Sequence, residues 1–277
     1  MTLSRRQVVE LLSSHGIRPS RALGQHFVAD ANTVRRIAAL AEIGPGDSVV
    51  EIGAGLGSLT LALAETGAEV TAVEVDRYLL PLLRSVVEPA GVRVVEGDAM
   101  ALDWGAVLGP SGGWVLVANL PYNVATPLVL DLLAQVPAVE RMLVMVQREV
   151  AERLCARVGD DAYGAVSVKV AYRAEASIVG RVPPTVFVPR PKVESALVRV
   201  VRRRRPAVDV DEGRLFPLVQ AGFAHRRKML RRALAGVVDD ATFAAAGVRP
   251  EARAEELDVE TWGRLAECAT SAEPSPS

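Results

Sequence analysis

Three apolar runs in succession each end in residues able to hold a polar ligand. The first, at residues 49–52, leads into Gly53-Ala54-Gly55-Leu56-Gly57. Glycines at such a junction let the backbone turn tightly and approach a ligand closely. Their spacing is GxGxG, not the GxGxxG of most dinucleotide sites. Taken alone, such a turn can do no more than pack a helix on a strand. The second run, at 70–75, carries Glu74 near its end, followed by Val75 and Asp76. A carboxylate in that place can accept hydrogen bonds from both hydroxyls of a ribose. The third, at 92–96, leads into Gly97-Asp98-Ala99. A carboxylate there can accept from the exocyclic amine of an adenine ring. One acid at a strand end is commonly just surface. Suitable groups at three tips in order describe a pocket for one nucleoside.

Those tips need a sheet to carry them. Helical patterns at 59–65 and 77–87 separate the three strands, and further strands are expected at 114–118 and 142–146. Helices are expected at 127–135 and 148–157, and last strands at 176–182 and 196–202, flanking a proline-rich turn. Strands separated by helices imply βαβ units and a mostly parallel sheet. The last two strands have no helix between them, which predicts an antiparallel hairpin at one edge. After Pro206 the pattern changes to short helices at 215–224, 227–234, 241–246 and 259–268. The expected organisation is an α/β domain over 1–205, a small α-helical domain over 206–270, and a disordered Ser/Pro-rich tail over 271–277.

Composition narrows the setting. Of 277 residues, 50% are hydrophobic and 23% charged, which excludes a wholly disordered chain. Cys155 and Cys268 are far apart, and the three histidines show no ligand spacing. Neither a disulfide framework nor a metal is expected. The N-terminus carries charges throughout, unlike a signal peptide, and the longest uncharged run, 104–130, is broken by glycines and prolines. A cytoplasmic protein with no membrane partner is the expectation. The net charge of −1 argues at first against nucleic acid, but it is a cancellation. Residues 190–232 hold 13 bases against 4 acids, while 31–189 and 233–277 are each net −6. Clusters such as Arg202-Arg203-Arg204-Arg205 and Arg226-Arg227-Lys228 are candidates for phosphate contact or, more blandly, a solvated face or linker.

The GxGxG turn with acids at the next two tips resembles the class I S-adenosylmethionine-dependent methyltransferases more than a dehydrogenase. A dinucleotide site offers a helix N-terminus to a pyrophosphate, and S-adenosylmethionine has no phosphate. The fourth strand ends in Asn119-Leu120-Pro121-Tyr122-Asn123. Asn-x-Pro-Tyr in this place is similar to the signature of methyltransferases acting on an amine conjugated to a planar ring or carbonyl. By that resemblance the Asn119 side-chain oxygen accepts one amine hydrogen. The Leu120 carbonyl, in a turn shaped by Pro121, accepts the other. Tyr122 stacks on the ring, a contact worth roughly 1–3 kcal/mol per base. Accepting both hydrogens pushes the nitrogen toward a tetrahedral shape, its lone pair aimed for in-line displacement.

Leu120 and Asn123 narrow the resemblance to the ribosomal RNA adenine dimethyltransferases of the KsgA/RsmA group. Leu23-Gly24-Gln25-His26-Phe27-Val28 is similar to that group's GQNFL segment, with His26 in place of Asn and Val28 in place of Leu. Gln147-Arg148-Glu149-Val150, Tyr163-Gly164, the Phe187-x-Pro189-x-Pro191-Lys192 segment and Phe223-x-x-Arg226-Arg227-Lys228 also match, so the similarity covers residues 20–265. The resemblance implies a Rossmann-like methyltransferase sheet and S-adenosyl-L-methionine as cofactor. Gln25, His26, Val28, Gly53, Gly55, Glu74, Val75, Asp98, Ala99 and Asn119 would hold that cofactor. It implies a target adenine sandwiched between Tyr122 and Phe187, and RNA contacts from Arg190, Lys192 and a basic helix bearing Arg226, Arg227 and Lys228. The implied reaction is N6,N6-dimethylation of two adjacent adenosines in a hairpin loop of small-subunit (16S) ribosomal RNA, within an immature 30S particle, by a monomer. Such loops present bases that can be splayed out of the stack. Two rivals remain on sequence: an Erm-type methyltransferase of large-subunit RNA, and a non-catalytic RNA-binding factor.

Overall fold

A computed structural model of the chain describes residues 2–20, 22–122 and 124–269. Asn123 and the tail expected at 271–277 lie outside the described residues. After α1 (Arg5–Ser14), β1 (Phe27–Val28) and α2 (Ala31–Leu40), strands and helices alternate. The series runs β2 (Ser48–Ile52), α3 (Ser58–Ala64), β3 (Glu69–Glu74), α4 (Leu80–Val87), β4 (Arg93–Glu96), α5 (Trp104–Leu108), β5 (Trp114–Asn119), α6 (Ala125–Gln135), β6 (Val139–Gln147) and α7 (Arg148–Cys155). Then come α8 (Ala165–Arg173), β7 (Ala174–Val182), β8 (Phe187–Val188) and β9 (Ser195–Arg202). The chain finishes with α9 (Glu212–Ala224), α10 (Leu230–Ala233), α11 (Asp240–Ala246) and α12 (Val259–Ala269).

Seven strands form one sheet in the order β4-β3-β2-β5-β6-β9-β7. The pairs from β4 to β6 are parallel, and β6–β9 is antiparallel. This is the mostly parallel sheet with an antiparallel edge that the alternation predicts. The strand β5 is buried along nearly its whole length, as a parallel strand covered on both faces must be. The chain leaves β2 toward β3 on one side, and β5 lies on the other. The sheet therefore reverses direction between β2 and β5, and a crevice opens at their carboxyl ends.

The chain divides into two compact units. One combines Met1–Ala151 with Ala176–Arg202, and the other Glu152–Glu175 with Arg203–Ser277. Residues 152–175 fall within the first domain on sequence but fold with the helices after Arg202. The physical cause is a second apolar core built around Trp262, Phe243 and Leu215, to which Tyr163, Val168 and Tyr172 contribute. The two tyrosine hydroxyls are satisfied inside that unit: Tyr163 donates to Leu257 O and Tyr172 to Val210 O, each at 2.8 Å. Among the described residues, no helix is long and apolar enough to cross a membrane.

Candidate active site

The turn after β2 is the floor of the crevice. Gly55 and Gly57 have φ of +57° and +81°, the left-handed region that favours glycine. A Cβ on Gly57 would lie 2.5 Å from Val87 Cγ1, so glycine lets α3 settle against α4. A Cβ on Gly55 would press the Phe27 ring at 3.0 Å. Gly55 N–H donates to Glu74 Oε2 at 2.7 Å, and the N–H groups of Val75 and Asp76 donate to Oε1 at 3.0 and 2.9 Å. Glu74 is buried; burial pushes its pKa up, and the donors from Asp76, Gly55 and Val75 oppose that. Glu51, on the neighbouring strand, is also buried. Burial pushes its carboxyl up to about 8, the Thr60 side chain opposing and the Glu74 charge adding to it. No site role was assigned to Glu51 on sequence, because an acid inside an apolar strand reads as part of the strand.

The tip of β5 holds the second group. Its register with β2 sets Ala118 opposite Ile52, so Asn119 emerges beside Gly53. Asn119 Nδ2 donates to the His26 carbonyl at 2.9 Å. That bond fixes which end of the amide is which: the NH2 group is held by the main chain, and Oδ1 remains as the acceptor. Leu120 N–H donates to Met145 O at 3.0 Å, and the Leu120 side chain is buried. The Pro121 carbonyl accepts from the N–H groups of Val124 and Ala125 and so starts α6. The Tyr122 hydroxyl lies 3.1 Å from Ser195 Oγ, whose strand is brought there by the Gln147–Ser195 pairing of β6 with β9. Burial pushes the Tyr122 phenol up, with Ser195 opposing.

Over this floor lies a strap from the N-terminal segment. The strand β1 pairs antiparallel with β8, Phe27 opposite Val188 and Val28 opposite Phe187. Arg5 reaches the carbonyls of Thr185 and Phe187 at 2.8 and 3.2 Å. Gln25 Nε2 donates to Asp76 Oδ2 at 2.7 Å and ties the strap to the tip of β3. His26 Nδ1 donates to Pro189 O at 2.8 Å, a carbonyl that can only accept. The His26 ring stacks on Tyr122, with centroids 5.4 Å apart and planes 26° apart.

The turn, the tip of β5 and the strap together enclose a cleft at the carboxyl ends of β2, β3 and β5. Gln25, His26, Gly53, Gly55, Glu74, Val75, Asn119, Leu120, Pro121 and Tyr122 all line it, as expected on sequence. Leu23, Gly24, Phe27 and Leu79 line it too and were not assigned. Four expected residues do not line it. Val28 and Phe187 are buried in the apolar core, because they face each other across the β1–β8 pair. The ring beside Tyr122 is therefore that of His26, not of Phe187. Asp98 is exposed at the tip of β4, where its Oδ1 accepts from Met100 N–H at 2.9 Å, and Ala99 O accepts from Trp104 Nε1 at 3.2 Å.

The basic residues divide likewise. Arg190 and Lys192 are exposed and line a wider groove that shares Gly24, Gln25, His26 and Tyr122 with the cleft. Arg226, Arg227 and Lys228 sit on a turn after α9, not on a helix. Arg226 is engaged within its own unit, by Glu255 at 2.6 Å and Asp161 O at 2.7 Å, whereas Arg227 and Lys228 are exposed. Arg202 is neither a phosphate contact nor a solvated linker. It donates to the carbonyls of Leu132, Leu133, Val136 and Val139 at 2.7–3.0 Å, closing the C-terminal end of α6. Arg203 meets Ala171 O and Glu175 in the same manner at the end of α8.

A cleft at the switch point, floored by a glycine turn and an acid and edged by Asn-x-Pro-Tyr, defines a Rossmann-like methyltransferase. The fold agrees with solved structures: the 23S rRNA methyltransferase ErmE is 28% identical with a TM-score of 0.69, covering 88% of this chain and 99% of that one. A dimethyladenosine transferase from Plasmodium falciparum has a TM-score of 0.74 at 23% identity over 87% and 96% of the two chains. Residues 17–271 match the family model for ribosomal RNA adenine dimethylase, and the chain belongs to that family. Among curated relatives, the ribosomal RNA small subunit methyltransferase A of Cutibacterium acnes is 48% identical, over 93% of this chain and 91% of the relative. That of Kineococcus radiotolerans is 47% identical, over 95% and 90%.

Proposed function

We propose that this enzyme transfers methyl groups from S-adenosyl-L-methionine to the N6 amines of two adjacent adenosines in small-subunit (16S) ribosomal RNA, acting on an immature 30S particle. The observation that carries the reading is Asn119. Its Nδ2 is pinned by the His26 carbonyl, so Oδ1 is the end presented beside Tyr122. The lining fits the cofactor: the glycine turn at Gly53 and Gly55 borders the cleft, and Glu74 offers a carboxylate at the strand tip where a ribose would lie. Asp98, exposed at the tip of β4 and outside the cleft lining, keeps the adenine-amine role only as an acceptor at the cleft's outer side. The bound cofactor supplies an electrophilic methyl carbon.

Asn119 Oδ1 and the Leu120 carbonyl accept the hydrogens of the target amine and pull its nitrogen toward tetrahedral geometry. Tyr122 holds one face of the base. The chemistry is positioning and electrostatic, with no obligatory general base. Arg190 and Lys192 in the groove, with Arg227 and Lys228 in the helical unit, are the cations offered to RNA phosphates.

The test is radiolabelled methyl transfer to unmethylated small subunits and, in parallel, to naked large-subunit RNA, with the modified bases mapped. Dimethylation of adjacent adenosines in the small subunit is expected. Modification of the large-subunit RNA alone would replace this reading with the ErmE-like one.

A further inference from the structure

We infer that the His26 imidazole is a placeholder for the target base, occupying the stacking face of Tyr122 until the base takes its place. This rests on the methyltransferase reading above. Two hollows meet at these rings: the cleft that holds Glu74 and Asn119, and the groove that carries Arg190 and Lys192. His26 and Tyr122 belong to the wall common to both. A base moving from groove to cleft passes that wall.

The centroids are 5.4 Å apart. A planar base between two rings needs two van der Waals contacts, about 7 Å in all. The stacked pair has no room for it, so one ring must yield. Tyr122 sits on the turn that opens α6, and its hydroxyl meets the buried Ser195. The His26 ring is half-buried and hangs on a single side-chain bond to the carbonyl of the exposed Pro189. His26 is the ring that yields. Its main chain has a separate task, since the carbonyl orients Asn119 and stays in place when the side chain is changed. Side-chain variants can therefore separate admission of the base from catalytic geometry. In this role His26 is a positioning residue.

The experiment is steady-state methyl transfer to unmethylated small subunits by wild type, H26N, H26Q and H26F, with S-adenosylmethionine binding measured by calorimetry. H26N and H26Q lack the ring, and H26Q keeps an N–H donor for Pro189. Both are expected to lower KM for the subunit about two- to tenfold, read at saturating S-adenosylmethionine so that any change in cofactor affinity is held apart. H26F restores a ring and should restore the wild-type KM. An unchanged KM in the ringless variants overturns the inference. So does a raised KM, which would make the ring a clamp on the bound base. An inactive wild type would overturn the methyltransferase reading itself, before any variant is compared.

Discussion

An amide side chain has two unlike ends, and the catalysis proposed for Asn119 depends on which one faces the amine. The His26 carbonyl makes the choice by accepting from Nδ2. Asn119→Ala should lower methyl transfer at least about 100-fold while cofactor affinity by calorimetry falls only modestly; retained turnover would remove Asn119 from its role. Glu74 is the complementary case, since the role proposed for this buried carboxylate, held by three N–H donors, is in binding. Glu74→Gln should weaken S-adenosylmethionine binding about tenfold or more, the loss expected for bonds to a charged acceptor, and unchanged affinity would contradict the ribose assignment. Glu51 gives a pH signature. Its carboxyl is protonated in the folded protein up to about 8 but titrates near 4.5 when unfolded. Between those values the folded state binds the extra proton. This group's stabilisation is therefore complete at low pH and is lost as pH rises, by up to about 1.4 kcal/mol per pH unit. Urea midpoints of wild type should fall relative to those of Glu51→Gln as pH rises across that window, the variant keeping the flatter profile.

At the scale of elements, helix ends account for residues that composition alone misassigns. The run Arg202-Arg203-Arg204-Arg205 is a phosphate candidate by charge, yet Arg202 donates to four carbonyls at and beyond the end of α6. Arg202→Ala should cost about 1–3 kcal/mol in chemical denaturation and leave RNA affinity unaltered. The opposite pattern, full stability with weakened RNA binding, would restore the phosphate reading. The seven strands of the main sheet were legible on sequence to within a few residues at their ends, because a parallel strand covered on both faces needs a continuous apolar run, whereas the two-residue strands β1 and β8 were not expected. The helices α1, α2, α5 and α8 were not. Three of them carry their signal in single residues: Ser4, Asp30 and Asp103 each accept from an N–H in the first turn. A periodicity reading passes over such caps.

At the scale of the molecule, the concealed +9 of residues 190–232 does not act as one surface. Part of it closes helices, part pairs locally, and part remains exposed in the groove and on the turn after α9. Salt dependence distinguishes these parts. Replacing Arg190 and Lys192 by alanine should flatten the slope of log affinity against log salt by about 0.7 per lost phosphate contact on single-stranded RNA. Arg226→Ala should leave that slope unchanged, since Arg226 is already paired with Glu255. Filter-binding titrations over a salt series check both.

The sequence by itself determined the sheet, the order of its strand tips, and ten of the residues that line the cleft. Strand tips are set by local apolar runs and the turns that end them, and both are written in consecutive residues. The tertiary structure decided what depends on distant partners. It joined Asn119 to a carbonyl 93 residues away, put the His26 ring on Tyr122, and turned Phe187 into the core. It also moved 152–175 into the helical unit. A residue's type and spacing state what it can do; which neighbour it meets follows from strand register and core packing, and these couple segments that share no local pattern.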